Sequence, residues 1–198
     1  MIKKNLMIIL LLSLNLINAQ VKTKSNLKNS NNNLKVWSKT FSNFNINDFK
    51  QVEITSFKDL MTEKKTITSL PVEYKTIGTY SPNKSKFVDI YSYLNLEKKG
   101  DIYIKNVEVD QNVDLYLSKT NERIRLFQSG SREGIDEVYW LSETSIVLLG
   151  VSYIDEKKPI ILLVDLDSKN VLRLENQNKL CKVLTNYKSV KLKKLKIK

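Results

Sequence analysis

From Asn112 to Glu175 the chain repeats one pattern, a short apolar and β-branched run followed by a polar turn. Asn112–Ser118 and Arg123–Gln128 flank Lys119-Thr120-Asn121-Glu122, and Glu137–Leu141 and Ser145–Ile154 flank Ser142-Glu143-Thr144. Ile160–Leu166 and Val171–Glu175 then flank Asp167-Ser168-Lys169-Asn170. Strands joined by such tight turns pair antiparallel, because a parallel pair needs a crossover of about a dozen residues or more. The unbroken run Ile146–Leu149 reads as a strand buried on both faces and central in its sheet. Upstream, Thr66–Tyr80 is β-branched, with Pro71 placing it at an edge or bend. Lys86–Leu96 alternates so that Tyr91 and Tyr93 share a strand face, and Asp101–Val109 follows the turn Glu97–Gly100 as the next strand. The expectation is a mainly β fold, an antiparallel meander forming a sandwich, open barrel or propeller-like sheets. One short N-terminal helix fits within Val36–Phe49, where Trp37, Phe41 and Phe44 are spaced by three and four, although a strand or an irregular segment fits there too.

The first residues carry a different signature. Lys3 and Lys4 precede an apolar run from Leu6 to Ile17, and Ala19 is a small residue suited to a cleavage site. That order is a secretory signal peptide. The expected organisation is therefore signal peptide 1–19, disordered Asn-rich linker 20–35, a single β-rich domain 36–180 and a basic strand or tail 181–198. Localisation follows as secreted or periplasmic. No cysteine stands near the cleavage site, which excludes a lipoprotein anchor. Composition, rich in Lys, Asn and Ile, suggests a bacterial source with an AT-rich genome.

The net charge of +12 falls to +10 once Lys3 and Lys4 leave with the signal. Residues 20–50 hold +5, six lysines against Asp48, and residues 181–198 hold +7, so the span 51–180 nets −2. Charge confined to flanks does not make the folded positive face that a nucleic-acid binder needs, so no nucleic-acid partner is expected. The tail instead offers weak contact with an anionic envelope surface. Its alternation over Ser189–Lys193 suits a last edge strand whose lysines block aggregation.

The chain has no histidine and only one cysteine, Cys181. That removes Ser-His-Asp and Cys-His nucleophiles and His- or thiolate-bound zinc. The expectation is no catalytic residue, no metal and no cofactor, with Cys181 a small, half-buried apolar residue. The candidate binding residues are Tyr91 and Tyr93 on their shared face, together with Ser129, Arg132, Glu133 and Asp136 in the loop before Trp140. Glu133, Asp136 and Glu137 read as solvated there, and Asp165 and Asp167 read as turn residues. The function expected is an exported, non-catalytic protein that binds an envelope or extracellular partner, protein or glycan, through a sheet face and loops. One alternative is a secreted enzyme inhibitor inserting the 129–137 loop. Such a protein is similar to the bacterial lysozyme inhibitors in size, compartment and β content, but lacks their disulfides. The other is a hydrolase working with carboxylates alone.

A wider resemblance rests on Tyr139–Val147 (YWLSETSIV), which looks like the start of a β-propeller blade, and on Ile161–Leu174 (ILLVDLDSKNVLRL), similar to a blade's outer hairpin. Tyr80–Phe87 repeats the first pattern and Val113–Phe127 the second. A closed propeller needs at least about four blades of roughly 40 residues. The resemblance therefore implies a small exported bacterial β-protein with two blade-like sheets facing each other.

Overall fold

A computed structural model of the chain describes residues 27, 32–57, 62–65, 67–154 and 156–198. The signal peptide expected over 1–19 lies outside the described residues. Helix α1 (Asn32–Ser38) leads into strand β1 (Phe49–Ser56) and then β2 (Thr62–Lys64). Helix α2 (Val72–Ile77) precedes β3 (Thr79–Tyr80), β4 (Lys86–Asp89), β5 (Leu96–Lys99) and β6 (Ile102–Lys105). Six longer strands follow, β7 (Gln111–Leu117), β8 (Glu122–Ser129), β9 (Glu133–Trp140), β10 (Ser145–Ser152), β11 (Lys158–Asp165) and β12 (Asn170–Asn176).

These form two five-stranded sheets and a two-stranded ribbon, all antiparallel. The first sheet has the order β1-β12-β11-β10-β9, the second β2-β8-β7-β4-β3, and β5 pairs with β6. The fold is mainly β, as the meander pattern requires, and the short N-terminal helix is α1.

The first sheet is the middle layer of three. Ile146, Leu148, Leu162, Val164 and Val171 on one face pack against Val88, Val113, Leu115 and Leu126 of the second sheet. Val147, Leu149, Val151, Ile161, Leu163 and Leu174 on the opposite face pack against Leu34, Trp37, Phe41, Phe49 and Cys181. Alternate residues of one strand thus feed two cores, which is why the β10 sequence is apolar at every step. Trp37 is fully buried, and edge-to-face contacts with Phe41 and Phe44 at ring separations of 4.7 and 5.6 Å lock it in place. Leu27 and Leu34 are buried as well, so ordered packing reaches into the stretch read from composition as a linker. Cys181 is fully rather than half buried.

Three sequence readings change. Thr66–Tyr80 is mostly a 3-10 turn (Ile67–Ser69) and α2, not a strand. Pro71 starts the helix, where its missing N–H is harmless, and Tyr74 and Ile77 point one helical face inward. Tyr91 and Tyr93 share no strand face. Asp89 Oδ1 accepts the Tyr91 and Ser92 amides at 2.8 and 3.2 Å, ending β4 and turning the chain into the 3-10 segment Ser92–Leu94. The C-terminal residues form no edge strand. They run, with one 3-10 turn at Leu192–Lys194, from Val183, which bridges Phe41, to Ile197, which bridges Tyr103 on the ribbon. Leu192, Leu195 and Ile197 pack against the inter-sheet core. The segment therefore passes from one side of the first sheet to the other around its β9 edge.

Candidate functional site

Strand β9 carries a bulge. Leu149 of β10 pairs with Glu137 and the next residue, Gly150, pairs with Ile135, so Asp136 is an extra residue without a register partner. The packing reports the same slip. Ile135 and Val138 are three apart, yet both enter the inter-sheet core, which regular alternation forbids. Asp136 and Glu137 both escape that core. Gly150 makes this possible, because a Cβ there would lie 2.3 Å from the Gly134 carbonyl oxygen.

Glu137, 1% exposed, is the hub of a buried polar network on the edge of the sheet. Lys191 Nζ reaches Glu137 Oε1 at 2.5 Å, the Val138 carbonyl at 2.8 Å and Thr79 Oγ1 at 2.6 Å, which uses all three ammonium protons. Tyr187 donates to Glu137 Oε2 at 3.0 Å and Ser189 Oγ donates to it at 3.4 Å. The Tyr91 hydroxyl and Ser189 Oγ share a hydrogen bond at 2.7 Å, which joins Tyr91 to the network. Burial pulls the Lys191 ammonium below its ordinary range while Glu137 holds it up. Burial raises the Tyr91 and Tyr187 hydroxyls, and Glu137 raises both further.

Asp136 is built differently. Among the described residues its hydrogen-bond partner is Trp37 Nε1, at 3.0 Å. Its carboxyl is pushed up to about 6, first by burial and further by Glu137, against the pull of the Trp37 N–H. It lies in a small cavity of about 80 Å³ walled by Phe41, Val151, Tyr153, Lys157, Thr185 and Tyr187. The Lys157 ammonium stands 5.4 Å from the centre of the Tyr153 ring, a cation–π contact.

The structure scatters the residues singled out from sequence. Tyr91 is buried in the Glu137 network, and Tyr93 is half-buried in its turn. Ser129 is the buried last residue of β8, and its hydroxyl has no hydrogen-bond partner among the described residues. Arg132 is exposed, and its carbonyl accepts the Tyr153 amide at 2.7 Å. Glu133 opens β9 in a bidentate pair with Arg173, at 2.5 and 3.0 Å. Of the six, Asp136 lies in the cavity. The stretch 129–137 is not one loop, since only 130–132 separates β8 from β9. Glu133, Asp136 and Glu137 are therefore strand residues and not solvated ones. Asp165 caps its own turn, accepting the Asp167 amide at 2.9 Å.

Sequence reasoning missed Lys191, Tyr187, Tyr153 and Lys157. Lys191 is 54 residues from Glu137, and nothing in the run KLKKLKIK marks one lysine as buried. Tyr153-Ile154 at the end of an apolar strand was the one available signal, an aromatic residue and an aliphatic one together on a hairpin tip.

No family model matches the chain, no curated protein matches its sequence, and no solved structure matches its fold. Among the described residues no group of three or more His, Cys, Asp or Glu is placed to hold a metal ion. No helix among them is long and apolar enough to cross a membrane.

Proposed function

We propose that this chain is an exported, non-catalytic binding protein that holds a protein partner at the end of the sandwich around Asp136. The observation that carries this reading is a half-buried carboxylate without a cation partner among the described residues, set in an aromatic-walled cavity whose wall residues have exposed apolar chain neighbours. Ile154 follows the wall residue Tyr153, and Leu184 precedes the wall residue Thr185. Leu180 accepts Ser42 Oγ at 2.9 Å beside the wall residue Phe41. These three side chains are 56%, 63% and 68% exposed, against fully buried neighbours in both cores. Exposed apolar groups next in chain to such a wall suit a protein contact. Both faces of the first sheet are covered, so what that sheet offers a partner is its rim and loops.

A carboxylate-pair hydrolase needs two free carboxylates flanking the scissile bond. Here Glu133 is held by Arg173 and Glu137 by Lys191, which leaves Asp136 as the single uncommitted acid of its cluster. That arrangement favours binding over turnover.

The experiment is quantitative capture from the exported fraction of the source cell, comparing the wild-type chain with Ile154→Asp, Leu184→Asp and Val107→Asp. Val107 is exposed on the chain between β6 and β7. One protein recovered with wild type and Val107→Asp, and lost from both rim variants, is the expected result. Equal recovery across all four chains overturns the reading.

A further inference from the structure

Resting on that binding reading, we propose that the Asp136 cavity is a receptor for a primary alkylammonium group, the side chain of a lysine on the partner protein. The recognition chemistry comes from three independent features. A carboxylate at the wall supplies the counter-charge, and its one hydrogen bond, from the neutral Trp37 N–H at 3.0 Å, leaves its charge uncompensated. Phe41, Tyr153 and Tyr187 present aromatic groups to the same cavity, the surroundings that attract an ammonium ion through the ring faces. The chain already displays this preference on itself, because the Lys157 ammonium lies over the Tyr153 ring at 5.4 Å.

Size agrees with the chemistry. A cavity of about 80 Å³ takes an ammonium and the last methylenes of its stem. An anion is disfavoured by Asp136 itself. Lys157 does not serve as the missing counter-ion, since among the described residues it forms no ion pair with Asp136 and its ammonium lies over the Tyr153 ring instead. It stands at the wall as a competitor that an entering lysine displaces.

The surrounding groups define the pH dependence. Asp136 faces Trp37 from α1, Glu137 on its own strand, Tyr153 and Lys157 from the loop between β10 and β11, Tyr187 from the C-terminal segment and Tyr93 from the 3-10 turn. The tyrosines are all raised and stay neutral near neutral pH. Glu137 is bound to Lys191, so the carboxyl that titrates about pH 6 and controls the site is Asp136.

The probe is Nα-acetyl-lysine methylamide, titrated against the ¹⁵N-labelled full chain, and the readout is the indole N–H signal of Trp37. That proton sits on the Asp136 carboxylate, and Trp140 supplies an internal reference through its own indole bond to the Thr79 carbonyl at 3.2 Å. A saturable shift of the Trp37 signal is expected at about pH 8, weakening about tenfold by about pH 5 as the carboxylate protonates. The Nε-acetylated analogue, equal in backbone but uncharged, is expected to leave the signal still. Asp136→Asn keeps the acceptor for Trp37 and is expected to weaken binding by about tenfold or more. Lys157→Ala is expected to tighten it by about twofold to fivefold, since a competing cation is removed. No saturable shift at about pH 8, an equal response to the Nε-acetylated probe, or weaker binding in Lys157→Ala overturns the proposal. The outcome is separable from the capture experiment. A still Trp37 signal with rim-dependent capture removes the lysine anchor and keeps the partner, whereas probe binding with rim-independent capture does the reverse.

Discussion

Asp136 and Glu137 are consecutive residues, both out of the inter-sheet core, and the chain treats them in opposite ways. Glu137 receives Lys191, Tyr187 and Ser189, so a fully buried charge is matched by a cation and neutral donors. Asp136 receives one indole N–H and an open cavity. The first arrangement closes the β9 edge and ties down the C-terminal segment, while the second leaves charge exposed to whatever enters. The difference teaches that burial by itself does not mark a structural carboxylate; what marks it is whether its own chain completes its hydrogen bonds.

The sharpest way to break this comparison is to remove the cation from the compensated side. Lys191→Met strands the Glu137 charge in the interior and is expected to cost about 3–5 kcal/mol by urea unfolding, with the double variant Glu137→Met, Lys191→Met recovering most of it. A loss below about 1 kcal/mol would mean the pair does not hold the edge. The bulge that separates the two acids is the next target. Gly150→Ala places a Cβ 2.3 Å from the Gly134 carbonyl oxygen and 3.0 Å from Ile135 Cδ1, so β9 must shift. A cost of about 1–3 kcal/mol is expected, together with a displaced Trp37 indole signal.

On the uncompensated side the effect has the opposite sign. The Asp136 carboxyl has its ordinary value at 3.8 when unfolded and is pushed up to about 6 when folded, so the folded chain binds the proton more tightly. Its contribution to stability is fully present below about 3.8 and is lost as pH rises through about 6. Asp136→Asn, which does not titrate, is therefore expected to gain on wild type by about 2 kcal/mol between about pH 4 and pH 8. Unfolding midpoints at the two ends of that range measure it, and a variant that instead loses ground at high pH would show that Asp136 is compensated after all. The smallest expected effect sharpens the boundary between the two regions. Tyr187 bonds Glu137 and walls the Asp136 cavity, so Tyr187→Phe is expected to cost about 1 kcal/mol in stability while ammonium binding persists on the retained ring.

Legibility in the sequence followed the range of the interactions. The hairpins β7–β8, β9–β10 and β11–β12 were readable because each joins runs separated by short polar turns, and Asn121 and Lys169 take the left-handed conformation that closes two of them. Ile146–Leu149 announced burial on both faces, which β10 has, but β11 takes the middle place of the sheet and β10 lies one strand in from the β9 edge. Thr66–Tyr80 misled because its β-branched composition favours a strand, yet Pro71 and the inward pair Tyr74 and Ile77 settle a helix there. Tyr91 and Tyr93 misled because a side chain, Asp89, intercepts the amides that a longer strand would have used. Of the candidate site, Asp136 was named from its cluster of acids, but its neighbours were not.

Local chemistry in the chain alone thus determines a mainly β meander, a strand buried on both faces and the absence of any histidine for catalysis. Tertiary structure alone decides which acid is neutralised and which is left open. That choice depends on a bulge that shifts the side-chain alternation by one residue, and on a C-terminal segment that carries Lys191 around a sheet edge to a glutamate 54 residues earlier. Alternation and turn preference act between neighbours and are written in the sequence. Compensation of a buried charge acts across space and exists only once the layers have packed.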